Sequence, residues 1–589
     1  MKTKSNFLFL ISSIPFLHRR SFCRNRIQSF LRLRTRVLFP STAAMLTLLA
    51  TATSSLAGSA TWKANPATGD WFTATNWTPT TVPNGTADTA TFASSNKRSP
   101  FIAFNAEVNG IVFNPGASAF TIVNAPGTSP TLTISGAGIT NNSGIVQNFA
   151  FELAGAQILF LNSATAGRLT AFTTTNMTFG GTSTADNATF TNNGAVTFTN
   201  NSTAADSIFT NNSVLFFLDS STAGNGTFTN SGGGFVNFRT GTPTAGNGTF
   251  TNPGGTVSGE GGGFIVFNAG TAGNASFTNN GGAVSGAFPG ETLFNPGDAG
   301  SATLIANGSS GGGDGGLIVF SAASGTASTG GTARVEVFGN GNLDISQQSA
   351  AGLTTGSIEG SGLVFLGART LTVGTNNLST TFSGRARDGG ISGGTGGSLT
   401  KTGTGTLTLS GANTYTGATT VNAGTLVVSN ATGSGTGSGT VKVNAGAIGG
   451  SGIISGPLTI GTGNGAGATL APAGGTRKQA TLTTQNALTL NADATYTYTF
   501  KAKGNKSRTD KVVAMGVTVS GATFVFQGTV QGAIQAGLVL TVIDNTSATP
   551  ISGTFGNLAD GATLTANGNK FQASYEGGDG NDLTLTLIP

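Results

Sequence analysis

The sequence predicts an all-β chain wound into a parallel β-helix, and three observations carry that expectation. Phenylalanine recurs at Phe160, Phe179, Phe198 and Phe217, each 19 residues apart, and continues at wider gaps through Phe238, Phe267, Phe294 and Phe320. A second series interleaves with it as Phe190-Thr191-Asn192, Phe209-Thr210-Asn211, Phe228-Thr229-Asn230, Phe250-Thr251-Asn252 and Phe277-Thr278-Asn279. The flanking residues alternate, as in Ala195-Val196-Thr197-Phe198, and Val, Thr and Phe favour strands while Gly and Asn gather between the runs. A repeat of about 20 residues marks a solenoid. At about 3.3 Å per residue, such a coil closes into a rung of short strands, and rungs stack about 4.8 Å apart, each Phe over its equivalent. Burying one such ring contributes about 1.5–3 kcal/mol. The Asn amides are expected to stack likewise, hydrogen-bonding from rung to rung. Ser183-Thr184-Ala185, Ser202-Thr203-Ala204 and Ser221-Thr222-Ala223 read as turns between the two series. Inserts such as Gly259-Glu260-Gly261-Gly262-Gly263 fill the wider gaps and belong in loops on one side of the coil.

Taken from the start, residues 1–57 read as a signal or export leader. Arg32, Arg34 and Arg36 precede an apolar run from Ala43 to Ala50, and Ser55-Leu56-Ala57 places small residues where signal peptidase needs them, before Gly58. Arg19-Arg20-Ser21-Phe22 gives a faint twin-arginine pattern far from that run; the alternatives are an extended basic region or a misplaced start codon. The leader also distorts the charge. Nine of the 28 Lys and Arg and none of the 22 acids lie in it, so the remainder has 19 basic against 22 acidic residues. That balance offers no basic stripe, and no nucleic-acid partner is expected. His18 and Cys23, the sole histidine and cysteine, also fall in the leader. Beyond it, disulfides, His or Cys metal sites and histidine-based triads are excluded. No later run of 18 apolar residues provides a transmembrane helical anchor.

Residues 58–158 are expected to form an N-terminal cap and the first rungs. Trp62, Trp71 and Trp77 gather there. They suit either a sugar-stacking platform or a cap over the open end of the first rung, which a solenoid requires, and the cap is favoured. Residues 159–345 carry the Phe ladder. In 346–397 the period fades into irregular Gly-rich rungs, with Arg385, Arg387 and Asp388 expected in a solvated loop. Residues 398–480 form a distinct repeat block and 481–589 the last rungs and a C-terminal cap.

From Lys401 to Gly417 the block runs K-x-G-x-G-x-L-x-L-x-G-x-N-x-Y-x-G, and about 30 residues around it resemble the passenger-associated, autotransporter-type β-strand repeat. The tryptophan-rich entry and the close from Asp510-Lys511-Val512 to Asp579-Gly580-Asn581-Asp582-Leu583 are similar to the same proteins. The resemblance implies a right-handed β-helical passenger at a bacterial surface, whose C-terminal rungs promote folding during secretion. One departure stands out. Where an autotransporter continues into a barrel of long alternating strands, this sequence runs Leu583-Thr584-Leu585-Thr586-Leu587-Ile588-Pro589, so no translocator and no self-export are expected.

Candidate chemistry is sparse. Gly577-Gly578-Asp579-Gly580-Asn581-Asp582 matches the opening of a calcium-binding nonapeptide, but it is a single copy, and a tight turn is the favoured reading. Parallel β-helices also carry polysaccharide lyases and glycoside hydrolases, which need carboxylates at fixed separation. Of seven Glu and 15 Asp, Glu260 and Glu291 are the best placed, both next to Phe-ladder positions, though acids in such inserts are usually solvated. Lys501, Lys503, Lys506, Arg508 and Lys511 form a basic cluster, read as a solvated edge that discourages strand-to-strand aggregation. The runs near Gly433 lack the ending of a phosphate loop. The expectation is therefore a secreted or cell-surface protein with a structural or adhesive role and no catalytic, cofactor-binding or metal-binding residues. Its expected partners are surface glycan or matrix, and the secretion machinery through the leader. Two alternatives stand beside it: a secreted polysaccharide lyase or glycoside hydrolase, and a calcium-stabilised binding module.

Overall fold

A computed structural model describes residues 57–589 apart from 324, 350, 351, 466, 475–477, 504, 505 and 533; the leader and its export signals lie outside the described residues. Strand follows strand, and the one helical element among the described residues is a short turn at Ala74–Asn76. A 41-stranded sheet holds most of them, and its pairing is parallel between segments one coil apart. The strand Thr189–Phe198 shows the pattern. It pairs in parallel with Thr170–Phe179 before it, and with both Ile208–Asn211 and Val214–Asp219 after it. The parallel β-helix expected from the Phe spacing is the fold.

Inside the coils the two Phe series form two stacks. From Phe160 to Phe320 the ring centroids are 4.4–5.0 Å apart and the planes within 3–10° of each other. The second stack starts earlier than the sequence pattern, at Phe149 and Phe172, and runs on through Phe190 to Phe277. Backbone hydrogen bonding between coils sets the vertical spacing, so each ring lies on its neighbour at the distance the strands allow. Between stacks the rings meet edge to face, as at Phe198–Phe209, with 6.0 Å between centroids and 73° between planes. That geometry directs the positive rim of one ring at the negative face of the other.

The asparagines behave as expected. Asn192 Nδ2 donates to Asn211 Oδ1 at 2.7 Å, Asn211 to Asn230 at 3.0 Å, Asn230 to Asn252 at 2.7 Å and Asn252 to Asn279 at 2.7 Å. All five side chains are buried. An unpaired buried amide would cost about 1–3 kcal/mol, so the chain of amides allows polar groups in the core only while they stay in register. The ladder ends where Ala306 stands over Asn279.

The triplets read as turns do more than turn. Thr165, Thr184, Thr203, Thr222, Thr244, Thr271, Asp298 and Thr329 bridge in parallel from coil to coil, forming a third ladder. From Thr165 to Thr271 the turns are locked the same way: the Thr203 hydroxyl accepts from the Ala205 N–H, and Thr222 does so from Gly224. Asp298 uses a carboxylate oxygen for Gly300. The donor residue is left-handed, with φ of 48° at Ala205 and 61° at Gly224. Most coils put glycine there, and the Ala205 methyl is strained by about 1–2 kcal/mol. Ala205→Gly should therefore stabilise by up to about 1 kcal/mol once the freer unfolded chain is counted. A lower denaturation midpoint would contradict that account.

In 346–397 the ladders continue although the apolar period fades. Leu353–Gly360 pairs in parallel with Gly330–Val337 before it and with Thr370–Val373 after it. The solvated loop expected at Arg385 and Arg387 is instead part of the coil. Arg385–Arg387 is a strand parallel to Leu363–Phe365, with Ala386 buried and the Arg387 guanidinium 5.1 Å from the Phe365 ring centre. A three-residue strand with alanine as its inward residue leaves no periodic signal. Asp388 alone lies in a turn, where its carboxylate accepts from the N–H groups of Gly396 and Gly397 and from the Thr416 hydroxyl. Near the C-terminus the parallel order gives way. Val539–Asn545 pairs in parallel with Lys511–Ala514 but antiparallel with Asp582–Ile588, which continues antiparallel to Asn569–Gly577.

Candidate functional surface

The tryptophans are not a surface. Trp62, Trp71 and Trp77 are at most 1% exposed. Trp77 meets both of the others edge to face at 5.0 Å, and Phe92 packs against all three. The indole N–H groups donate to the carbonyls of Lys97, Pro83 and Trp71. A sugar ring has no indole face to stack on, so the trio serves as the core of the first coil.

The two glutamates singled out by sequence take different places. Glu260 accepts from the backbone N–H groups of Thr256 and Val257 and from the Thr256 hydroxyl, which staples the turn of its own insert. Glu291 lies on the strand Glu291–Phe294, in register between Phe264 and Leu317. A carboxylate pair that the spacing missed is Glu336 and Glu359, opposite each other on neighbouring coils. Arg334 bridges them, its Nε 3.1 Å from Glu336 and also bonded to Glu359. Burial pushes the Glu336 carboxyl up and the guanidinium opposes it, while the Glu359 hydrogen bond raises the Arg334 pKa. A carboxylate pair sharing one guanidinium is a staple between coils rather than an acid and a base on opposite sides of a glycosidic bond. The pair is 23 residues apart, outside the 19-residue register of the Phe ladder.

The basic cluster divides. Lys501 and Lys503 face Arg508 and Lys506 across an antiparallel hairpin, all four exposed, whereas Lys511 pairs with Asp544 at 2.8 Å. Gly577–Asp582 is the turn between the last two antiparallel strands, with φ of 61° at Gly578 and 111° at Gly580. The Asp582 carboxylate accepts from the Asn545 N–H, and burial raises its pKa. Among the described residues no group of three or more His, Cys, Asp or Glu could hold a metal ion. No helix there is long and apolar enough to cross a membrane. One open groove of about 430 Å³ lies along Leu363, Arg385 and Thr414.

The motif from Lys401 to Gly417 turns its polar residues inward. Lys401 stands in register between Val373 and Val421, at a position filled elsewhere by an apolar side chain. Its ammonium donates to the carbonyls of Thr402 at 2.5 Å, Gly403 at 3.0 Å and Ala423 at 3.3 Å, and burial lowers its pKa. Those three donors match three turn carbonyls from two coils. Asn413 accepts from Ala386 N–H and donates to Gly435 O, so one amide links three coils. Tyr415 is fully buried with its hydroxyl 2.5 Å from that of Thr419. Glycine at 417 is required by space, since a Cβ there would stand 2.4 Å from the Gly396 carbonyl oxygen and 2.5 Å from that of Gly397. Lys401→Met should cost about 1–3 kcal/mol through the orphaned carbonyls. An unchanged denaturation midpoint would show that the ammonium is not what holds these turns.

Residues 399–428 match the family model of the passenger-associated-transport-repeat, so this stretch is similar to an autotransporter passenger-type repeat. A search of curated proteins found no match for the chain.

Proposed function

We propose that this chain is a secreted or cell-surface, passenger-like β-helical protein with a structural or adhesive role and no catalytic activity. The observation that carries this reading is the repeat at 399–428, which sits in register within the β-helix and uses its Lys and Asn to join coils. The fates of the acids support it. Glu260 staples a loop, Glu336 and Glu359 share Arg334, and Asp388 closes a turn. A coil of this kind displays a long surface, and surface glycan or matrix is the partner class that suits such display. The leader would engage the secretion machinery.

Fractionation of producing cells tests the location: the protein should be in the medium or be removed from intact cells by added protease. Recovery of a protease-protected cytoplasmic pool would overturn the reading. The catalytic competitor is tested on polyanionic glycans by reducing-end release and by absorbance of unsaturated products. Turnover that disappears in Glu336→Gln or Glu260→Gln would replace display with a lyase or hydrolase.

A further inference from the structure

The outer face of the second Phe stack carries a regular array. Along the strands that bury Phe172, Phe190, Phe209, Phe228, Phe250 and Phe277, the residues on either side of each Phe point outward. They form two rows, one from Ala171 to Thr303 and one from Thr173 to Ile305, paired in register coil after coil. Threonine fills every position except Ala171, Ile208, Ser276 and Ile305, and none is charged. The array stops where Arg334 and Glu336 take up the same two rows.

Three properties set it apart from ordinary strand-favouring threonine. The face is flat, because the Phe rings directly beneath rotate by only 7–14° from coil to coil at 4.3–5.2 Å spacing. It is rigid, since the Asn192–Asn279 amide ladder fixes the ends of the same strands and each β-branched side chain has few rotamers. Its hydroxyls are also uncommitted: Thr189, Thr210, Thr229 and Thr251 make no side-chain hydrogen bond within the described residues. The rows repeat at about 4.8 Å between coils and about 6.7 Å along the strand. Both distances are close to repeats between oxygen atoms on a prism face of ice.

We propose that this threonine face binds ice. Hydroxyls in register can hold waters at lattice positions, while the methyl groups between them hold none firmly. Charged groups, whose hydration shells compete with a lattice, are missing from the array. Each contact is weak, but a rigid array makes many at once and loses little ordering entropy in doing so. The inference is independent of the display reading, since ice affinity would stand whatever the protein's location.

The test is partition of the full chain, fluorescently labelled, into a slowly grown ice hemisphere, together with inhibition of ice recrystallisation. The wild type should enter the ice and keep crystals small. Thr229→Tyr and Thr210→Lys, which face solvent and leave the Phe stacks intact, should lose both properties while thermal unfolding is unchanged. Thr408→Tyr, on a different strand, should retain them. Exclusion of the wild type from ice would overturn the proposal, as would full ice activity in Thr229→Tyr. Retention on an insoluble neutral glycan that is lost in Thr229→Tyr, without ice partition, would also overturn it and assign the face to carbohydrate.

Discussion

Phe209→Ala is expected to destabilise its part of the β-helix by about 3–5 kcal/mol. The ring is 1% exposed and lies between Phe190 at 4.3 Å and Phe228 at 5.2 Å, with the edge contact to Phe198 at 6.0 Å. Truncation removes all three contacts and leaves a ring-sized cavity that coils held by backbone ladders on both sides cannot close. In a solenoid each repeat is stabilised mainly by its neighbours, so the damage should be local. Amide exchange should accelerate in the coils around 190–230 and stay slow in 399–428. Uniform acceleration over the whole chain, or a loss below about 1 kcal/mol, would mean that the stacks are not the principal support. Phe209→Leu should recover much of the loss by refilling volume.

The second large effect is on alkaline stability. All four tyrosines of the chain, Tyr415, Tyr496, Tyr498 and Tyr575, are at most 6% exposed, and burial raises each phenol above its ordinary pKa. Their hydroxyls are also engaged, Tyr496 with Val542 O at 3.0 Å and Tyr575 with Leu558 O at 2.8 Å. A group with a raised folded-state pKa contributes stability that is fully present below its unfolded pKa, about 10 for tyrosine, and is lost as pH climbs toward the folded value. Lys401, lowered by burial, acts in the opposite sense, gaining as pH rises toward the ordinary lysine range, but it is one group against four. Phenolate absorbance should therefore stay flat past pH about 10 and then rise in one step with loss of the β signal in circular dichroism. A tyrosine that titrates reversibly near its ordinary value with the β signal intact would refute this.

Much of the fold was legible because large inward side chains repeat where the coil repeats. Phenylalanine at 19-residue spacing announces both the strand and the rung above it, and asparagine two residues beyond the second Phe can be tolerated inside only as a ladder. The signal weakened wherever the inward residue was small. Ala386 hid the strand that carries Arg385 and Arg387, and the small buried residues beside Thr184 and Thr203 hid the third ladder behind what read as turns. Surface chemistry was less legible. Glu336 and Glu359 meet only because coil length in that region is 23 residues, a number visible once the register is known. Lys401 stands two residues beyond Leu399 and so shares its inward face, but what its ammonium meets there depends on turn carbonyls contributed by two coils.

The amino-acid order alone thus determined the winding, the two aromatic stacks and the amide ladder, because hydrophobic burial and hydrogen-bond satisfaction act on every coil alike and leave a periodic trace. The tertiary structure alone decided where the exceptions go: the tryptophans into the first core, Lys401 onto three carbonyls, and Arg334 between two glutamates. Those placements depend on which coil lies above which, and the distances across that gap are set by loop lengths that carry no period of their own.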